Sequence, residues 1–189
     1  MTPNLDARAE RSQQALLQAG LELLNANPDA SLSDIANHAG VGRTTLYRQY
    51  ETREKLVSAI AVYCLETFDQ VTDPIEQQAT SIIDAVRLLF DLAMPLTQEL
   101  QFLMSLDKST GSDPVIVAIG EDYTKQMHEL VEQGKKEGSI DKSLPTSWVA
   151  NLIDGLFIVG WIQQQDGAYT SEKVAAFAFT SFCSGVSSP

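Results

Sequence analysis

Cysteine is nearly absent from this chain: Cys64 and Cys183 stand far apart in 189 residues. Neither has a CxxC partner, so a disulfide framework or a zinc site is not expected. Long apolar runs are missing too. The longest, "WVANLIDGLFIVGWI" (148–162), carries Asn151 and Asp154 and is shorter than the roughly 20 residues a bilayer crossing requires. The opening "MTPNLDARAERSQQ" has no apolar core of the kind a signal peptide uses. The expectation is a cytoplasmic protein with no membrane partner. Catalytic signatures are likewise lacking: no GxSxG, no Walker loop, no HExxH and no Rossmann fingerprint. His128 stands beside Glu129, but Lys125 occupies the place where an E-x-x-H metal pair would need a carboxylate. No catalytic residue, metal ligand or cofactor is expected. An enzyme is the remotest reading.

Positive charge is scarce overall, with 13 Lys and Arg against 25 Asp and Glu and a net charge of -12. The scarcity is uneven. Residues 1–60 hold six basic and seven acidic side chains, while the remainder holds seven basic and eighteen acidic. Four of the thirteen cations fall in "HAGVGRTTLYRQYETREKL" (38–56), interleaved with Thr44, Thr45, Tyr47 and Tyr50. A short basic, hydroxyl-rich segment in an acidic chain calls for a local reason.

The surrounding pattern is helical. Leu16, Ala19, Gly20, Leu23 and Leu24 share a face of a first helix. "NANPDAS" interrupts it, and Ser31 with Asp34 has the S-x-x-D form of a capping box. Leu32, Ile35, Ala36 and Ala39 line a second helix that Gly40 is placed to terminate. "RTTLYRQY" opens a third, in which Leu46 and Tyr50 look inward while Arg43, Thr44, Thr45, Tyr47 and Arg48 are left outside. Two short helices joined by a Gly turn, the second presenting Arg, Thr and Tyr, fit a helix-turn-helix. Arg can grip a guanine edge, Thr a base or a thymine methyl, and Tyr a phosphate. An exposed polar helix without a partner has the same bare pattern.

The stretch "LSDIANHAGVGRTTLYRQYETREKLV" resembles the N-terminal signature of the TetR family of bacterial transcriptional regulators. The resemblance rests on Ala39-Gly40-Val41, Leu46-Tyr47, Tyr50, Arg53 and Leu56, in that order and spacing. Tyr50 replaces the usual Phe, Arg53 the usual Lys, and Gly42 a common capping Ser. It implies an all-α fold: a helix-turn-helix DNA-binding domain at 1–52 and a helical ligand-binding and dimerisation domain at 53–189, with a long fourth helix connecting them. It also implies that Arg43, Thr44, Thr45 and Arg48 enter the major groove. Tyr47, Arg53 and Lys55 would hold phosphates, and Ser31 or Ser33 would add contacts. Arg8 and Arg11 would touch the backbone or minor groove. His38 falls on the solvent side of the second helix.

Helical spacing continues to the end. Leu56, Ala59, Ile60, Tyr63, Cys64 and Val71 mark the fourth helix. "DPIE" (73–76) reads as the start of a single helix with Ala79, Ile82, Val86, Leu89, Phe90 and Ala93 buried. Pro95 opens a short helix through Leu103, and "DKSTGSDP" (107–114) is a loop. Ile116, Ile119, Tyr123, Met127, Leu130 and Val131 line the next helix, which "EQGKKEGSIDKSLP" (132–145) breaks. Trp148 to Ile162 is apolar nearly all round and so needs cover from two directions. Leu152, Leu156 and Val159 can face one partner and Ile153, Phe157 and Trp161 another, with Gly155 and Gly160 permitting close approach. A last helix runs from about Ser171 to Cys183.

The resemblance implies that the last two long helices form a homodimer interface, here Trp148, Leu152, Leu156, Val159, Val174, Phe177, Ala178, Ser181 and Phe182. A single well-buried core helix is the alternative for the apolar segment. The resemblance also implies a pocket for a largely apolar small-molecule effector. Its candidates are Phe68, Phe90, Met94 and Phe102, with Met104, Tyr123, Met127 and Trp161 beside them. Each of these equally suits plain core. The implied function is a repressor that binds a palindromic operator in double-stranded DNA as a dimer and is released by its effector. An activator, or a regulator controlled by a protein partner, shares every one of these features.

Overall fold

The structure, a computed structural model, describes residues 3–106, 113–165 and 167–186, without the side chains of residues 3–6 and 8. Arg8's side chain and residues 107–112 of the loop expected at 107–114 therefore lie outside the described residues. The fold is all-α, with no strand among the described residues. It forms two compact units, Met1–Glu66 with Gln101–Val117, and Thr67–Leu100 with Ala118–Pro189.

The first unit is built on α1 (Pro3–Ala26), α2 (Leu32–His38), α3 (Arg43–Gln49) and the first part of α4 (Arg53–Thr72). Its core joins Leu16, Leu21 and Leu24 of α1 to Ile35 of α2, Leu46 of α3, and Leu56 and Ile60 of α4. The expected Leu23 is only half-buried, and Leu21 takes the inner position. Between α1 and α2 the chain turns on Asn27, whose carbonyl accepts from the Ala30 amide at 3.1 Å. The capping box then starts α2: the Asp34 amide donates to the Ser31 hydroxyl, and the Ser31 amide to the Asp34 carboxylate at 3.0 Å. Gly40 ends it at φ 64, a left-handed conformation that Gly adopts without penalty. Phe102, from α7 (Thr97–Ser105), completes this core, and the Gln101 side-chain amide donates to the Asn25 carbonyl.

The second unit holds α5 (Ile75–Gln78), α6 (Ile82–Ala93), most of α8 (Pro114–Glu137), α9 (Thr146–Gln165) and α10 (Ser171–Val186). α10 packs on both α6 and α9. Phe90 is fully buried at the centre, 5.1 Å from the Phe157 ring and 6.4 Å from that of Phe182. Gly160 lies so close to Val174 that a β-carbon there would stand 2.9 Å from a Val174 methyl.

Three expected boundaries are corrected. The helix read from 73 to 93 is broken after Gln78: Ala79 is extended, and Ser81 starts α6 afresh by accepting from the Asp84 amide. Thr80 reinforces the break, its amide and hydroxyl both donating to the Asp84 carboxylate. Short polar side chains that compete for backbone groups won over the apolar period. The break read from residue 132 begins later, because α8 runs to Glu137 and ends at Gly138, φ 82. Gly134 is no helix breaker; it admits Ile140, whose Cδ1 a β-carbon would meet at 2.6 Å. Finally, α10 continues past Cys183 to Val186, whose carbonyl accepts from the Asp141 amide at 2.9 Å.

Candidate nucleic-acid interface

α3 is seven residues long and held from below by one side chain. Leu46 is fully buried, and Tyr50, just past the helix, is 6% exposed. At about 100° per residue, pinning Leu46 inward turns Thr44 and Arg48 to the opposite side, with Thr45 and Tyr47 on the two flanks and Arg43 in the first turn. Arg43, Thr44, Tyr47 and Arg48 are all exposed, and Thr45 is half-buried. Gly42 occupies the N-cap in extended conformation and supplies no side-chain bond to the amides at the start of α3.

The nearby cations divide into two kinds. Arg43 and Arg48 enter no ion pair among the described residues, so both guanidiniums face solvent with their donors available. Arg53 and Lys55 are engaged. The Arg53 guanidinium donates to the backbone carbonyls of Ala30 (3.3 Å) and Pro28, closing the turn that leads into α2. Lys55 pairs with Glu51 one turn away, both exposed. Ser31 is engaged too, its hydroxyl donating to the Asp34 carboxylate at 2.6 Å. Those bonds hold the Asp34 carboxyl below the usual carboxylate range, the Ser31 hydroxyl being the largest cause. Ser33 is half-buried in the first turn of α2. His38 is exposed as expected, yet its Nε2 lies 3.2 Å from a Glu22 carboxylate oxygen on α1. Arg11 is exposed and donates to the Ala7 carbonyl.

The residues proposed for a small molecule separate. Phe68, Tyr123 and Met127 line one recess of about 150 Å³ in the second unit. Phe90 and Met94 are fully buried and present no surface to a ligand. Phe102 and Met104 belong to the first unit, Phe102 in its core and Met104 exposed, so neither joins this recess. Trp161 is half-buried, with an indole N–H that finds no acceptor. Residues that the sequence reading missed line the recess beside the aromatics: Asp69, Thr72, Ala85, Leu89, Gln126 and Leu130. Spacing alone places Leu89 in the core, because apolar periodicity does not separate a cavity wall from a packed interior.

The expected interface residues also divide. Val174, Ala178 and Phe182 are buried within the second unit, although Val174 and Ala178 form the floor of a shallow recess that Leu156, Val159, Phe177 and Ser181 also line. They face α9 and α6, which need the same apolar stripe. Trp148 (64% exposed), Val159 and Phe177 are open, Ser181 is exposed, and Leu152 and Leu156 are half-buried. Gly155 has no neighbouring atom within 4 Å of a would-be β-carbon, so the close approach foreseen for it is not made inside this chain. Among the described residues no three His, Cys, Asp or Glu are grouped to hold a metal ion, and no helix is long and apolar enough to cross a membrane.

Comparison with known proteins bears on the same region. Residues 16–60 match the family model of bacterial regulatory proteins, tetR family. The HTH-type transcriptional repressor LfrR of Mycolicibacterium smegmatis (strain ATCC 700084 / mc(2)155) is 26% identical over 186 residues, which is 98% of this chain and 96% of LfrR. The crystal structure of LfrR from Mycobacterium smegmatis in complex with proflavine has a TM-score of 0.78 at 24% identity, covering 97% of this chain and 99% of that one. The ketosteroid transcriptional regulator KstR2 of Mycobacterium tuberculosis gives 0.79 at 16% identity, with 94% and 95% covered. AibR, in complex with isovaleryl coenzyme A and operator DNA, gives 0.75 at 20% identity, with 90% and 97% covered. A capped α2, a glycine turn and a reading helix with its polar side outward lie within the segment that matches the tetR family model, and the fold is shared with TetR-like regulators throughout its length.

Proposed function

We propose that the chain is a ligand-responsive repressor that binds a palindromic DNA operator as a homodimer and is released from it by a small organic molecule. Residues 1–52 serve as the reading head and residues 53–189 as the effector and dimer domain. The observation that carries this reading is the outward side of α3, where Arg43, Thr44, Tyr47 and Arg48 are exposed around a buried Leu46. In the major groove Arg43, Thr44, Thr45 and Arg48 read base edges while Tyr47 and Lys55 meet phosphates. Ser33 and the N-terminus of α2 lie on the phosphate side. Ser31 and Arg53 act differently from the expectation: their engaged donors fix the angle at which α2, and hence α3, is presented.

One seven-residue helix spans few base pairs, so useful affinity requires two heads joined by a two-fold axis. The apolar line on α9, with Trp148, Val159 and Ile162 open and Leu152 half-buried around Gly155, is the surface that supports such an axis. The cavity in the second unit supports an effector, as do the ligands of structural relatives, proflavine in LfrR and isovaleryl coenzyme A in AibR. To release DNA, an effector must bind the DNA-incompetent state more tightly than the competent one.

In vitro selection from random duplex DNA, followed by a salt titration on the selected sequences, tests the reading. The expected result is an enriched palindrome whose affinity falls steeply as salt rises, because bound phosphates release counterions. Ligand-stripped protein that enriches no sequence overturns the assignment of α3.

A further inference from the structure

The recess between Phe68, Tyr123 and Met127 does not stand alone. It opens into a cleft of about 880 Å³, and Asp69, Thr72, Ile75 and Leu130 line both. That volume falls in the range of roughly 300–1,000 Å³ typical of small-molecule sites. The inner end is apolar and aromatic. The Phe68 ring meets Tyr123 edge-on at 5.9 Å and Phe157 at 6.3 Å, with Leu89 and Met127 on the remaining walls. The outer end carries the carboxylates Asp69, Asp73, Glu76, Glu129 and Glu137. No Lys, Arg or His lines either part. Lys125, 4.0 Å from Glu129 and largely exposed, is the one cation paired with any of these five among the described residues.

We infer that this cavity takes an organic cation, with its ring system held between Phe68, Tyr123, Met127 and Leu89 and its positive charge directed at Asp69. The inference rests on the effector reading above and names the effector's chemical class.

Three features select that class together. The apolar, aromatic walls of the inner recess favour an organic group, with the rest of the molecule in the larger cleft, over a hydrated metal ion. The faces of Phe68 and Tyr123 carry the negative part of the ring quadrupole, which attracts cations more strongly where water is excluded. The five carboxylates of the outer end, with no cation in the lining, favour positive charge there. Partial burial raises the Asp69 carboxyl's pKa, and the negative charge of nearby Asp122 adds to it. Tyr123 is prevented from ionising in the same way. Burial is the largest cause and the Asp154 carboxylate adds to it, while the phenol donates to Asp154 at 2.7 Å. The wall therefore stays a neutral phenol backed by a carboxylate. Polyanions such as a phosphorylated or coenzyme A-linked molecule would meet repulsion at the mouth.

The test is a fluorescence titration of the full chain, without DNA, using ethidium as a permanent cation and 8-anilinonaphthalene-1-sulfonate as an anion of similar apolar size. Three proteins are compared: the unaltered chain, Asp69→Asn and Thr72→Trp. Asp69 is exposed and Thr72 half-buried, so both variants are expected to melt with the parent's cooperativity. Ethidium should saturate one site per chain and bind at least about tenfold more tightly than the sulfonate. Asp69→Asn should weaken ethidium by about tenfold, and Thr72→Trp, which fills the junction, should abolish the site. Equal affinity for the two dyes overturns the inference, as does an Asp69→Asn protein that binds ethidium unchanged. Ethidium that never saturates, or that ignores Thr72→Trp, is adsorption to an acidic surface and overturns it equally. Since DNA is absent, each of these failures leaves the operator reading standing. An operator selection that fails leaves this result standing in turn.

Discussion

α3 and α9 each carry a line of side chains exposed to solvent, and the two lines have opposite chemistry. On α3 the outward residues are Arg43, Thr44, Tyr47 and Arg48, rich in donors. On α9 the outward line is Trp148, Val159 and Ile162, with half-buried Leu152 and Gly155 between them; the five are spaced by four, three, four and three residues, with no charge and no side-chain hydrogen-bonding group apart from one indole N–H. Water solvates the first line well and the second poorly. An exposed polar helix can remain alone in solution at little cost. An exposed apolar line of this length costs free energy until something covers it. Exposure by itself therefore says little about partners; the kind of group exposed says whether the partner is a polyanion or another apolar surface.

The comparison breaks hardest if a charge is placed on the α9 line. Val159→Asp is expected to leave the fold of each chain intact, since Val159 is open and surface substitutions usually stay within about 0.5 kcal/mol. In a dimer the same carboxylate would be buried without a partner, at a cost of about 2–4 kcal/mol or more. Analytical ultracentrifugation at micromolar protein should show the variant as a monomer and the parent as a dimer, with operator affinity falling in parallel. A parent that is already monomeric would leave the α9 line needing a different cover.

On α3 the corresponding substitution is Arg48→Ala. It should cost about 1–3 kcal/mol of specific DNA binding if Arg48 reads a base, with nonspecific binding much less affected and thermal stability unchanged. Equal loss on every sequence would move Arg48 to the phosphate backbone.

How much of this contrast could be read from the sequence depends on how local its cause is. The capping box at Ser31 and Asp34, the turn at Gly40 and the inward Leu46 follow from residues within a few positions of each other, and the structure has all three. Ser81 shows the limit. Its capping of α6 is also local, but the apolar spacing on both sides concealed it. Gly134 shows the opposite limit: it falls inside the segment expected to break α8, yet the helix runs through it, and only the arrival of Ile140 shows it to be a contact. The cavity was least legible. Phe90 and Phe68 sit at similar helical spacings, yet one is sealed in the core and the other walls a recess, a difference decided by neighbours far away in the chain. Burial of Val174, Ala178 and Phe182 was hidden in the same way.

Arg53 sharpens the distinction between reading DNA and aiming the reader. Its guanidinium closes the turn at Pro28 and Ala30 from 23 to 25 residues away, a reach that no motif spacing reveals. Arg53→Lys retains the charge but loses the planar fork that serves two carbonyls. The expected loss is about 1 kcal/mol of stability, seen as a lowered melting temperature, with an unchanged slope of operator affinity against salt. A slope reduced by about one at an unchanged melting temperature would instead return Arg53 to the phosphates.

Tyr50 gives the smallest effect and isolates the underside of α3. Its ring packs in the core beside Leu46, while its hydroxyl is buried without a hydrogen bond of normal geometry. Burial raises the phenol's pKa, and the Gln13 side chain offsets only part of that. Tyr50→Phe keeps the packing and removes a hydroxyl that lost its water on folding and gained little in return. Chemical denaturation should show a change between zero and about 1 kcal/mol in the stabilising direction, with DNA affinity the same within twofold. Destabilisation would mean that the hydroxyl is satisfied in solution. A loss of DNA affinity at unchanged stability would mean that the underside of α3 also sets the angle of the face that reads DNA.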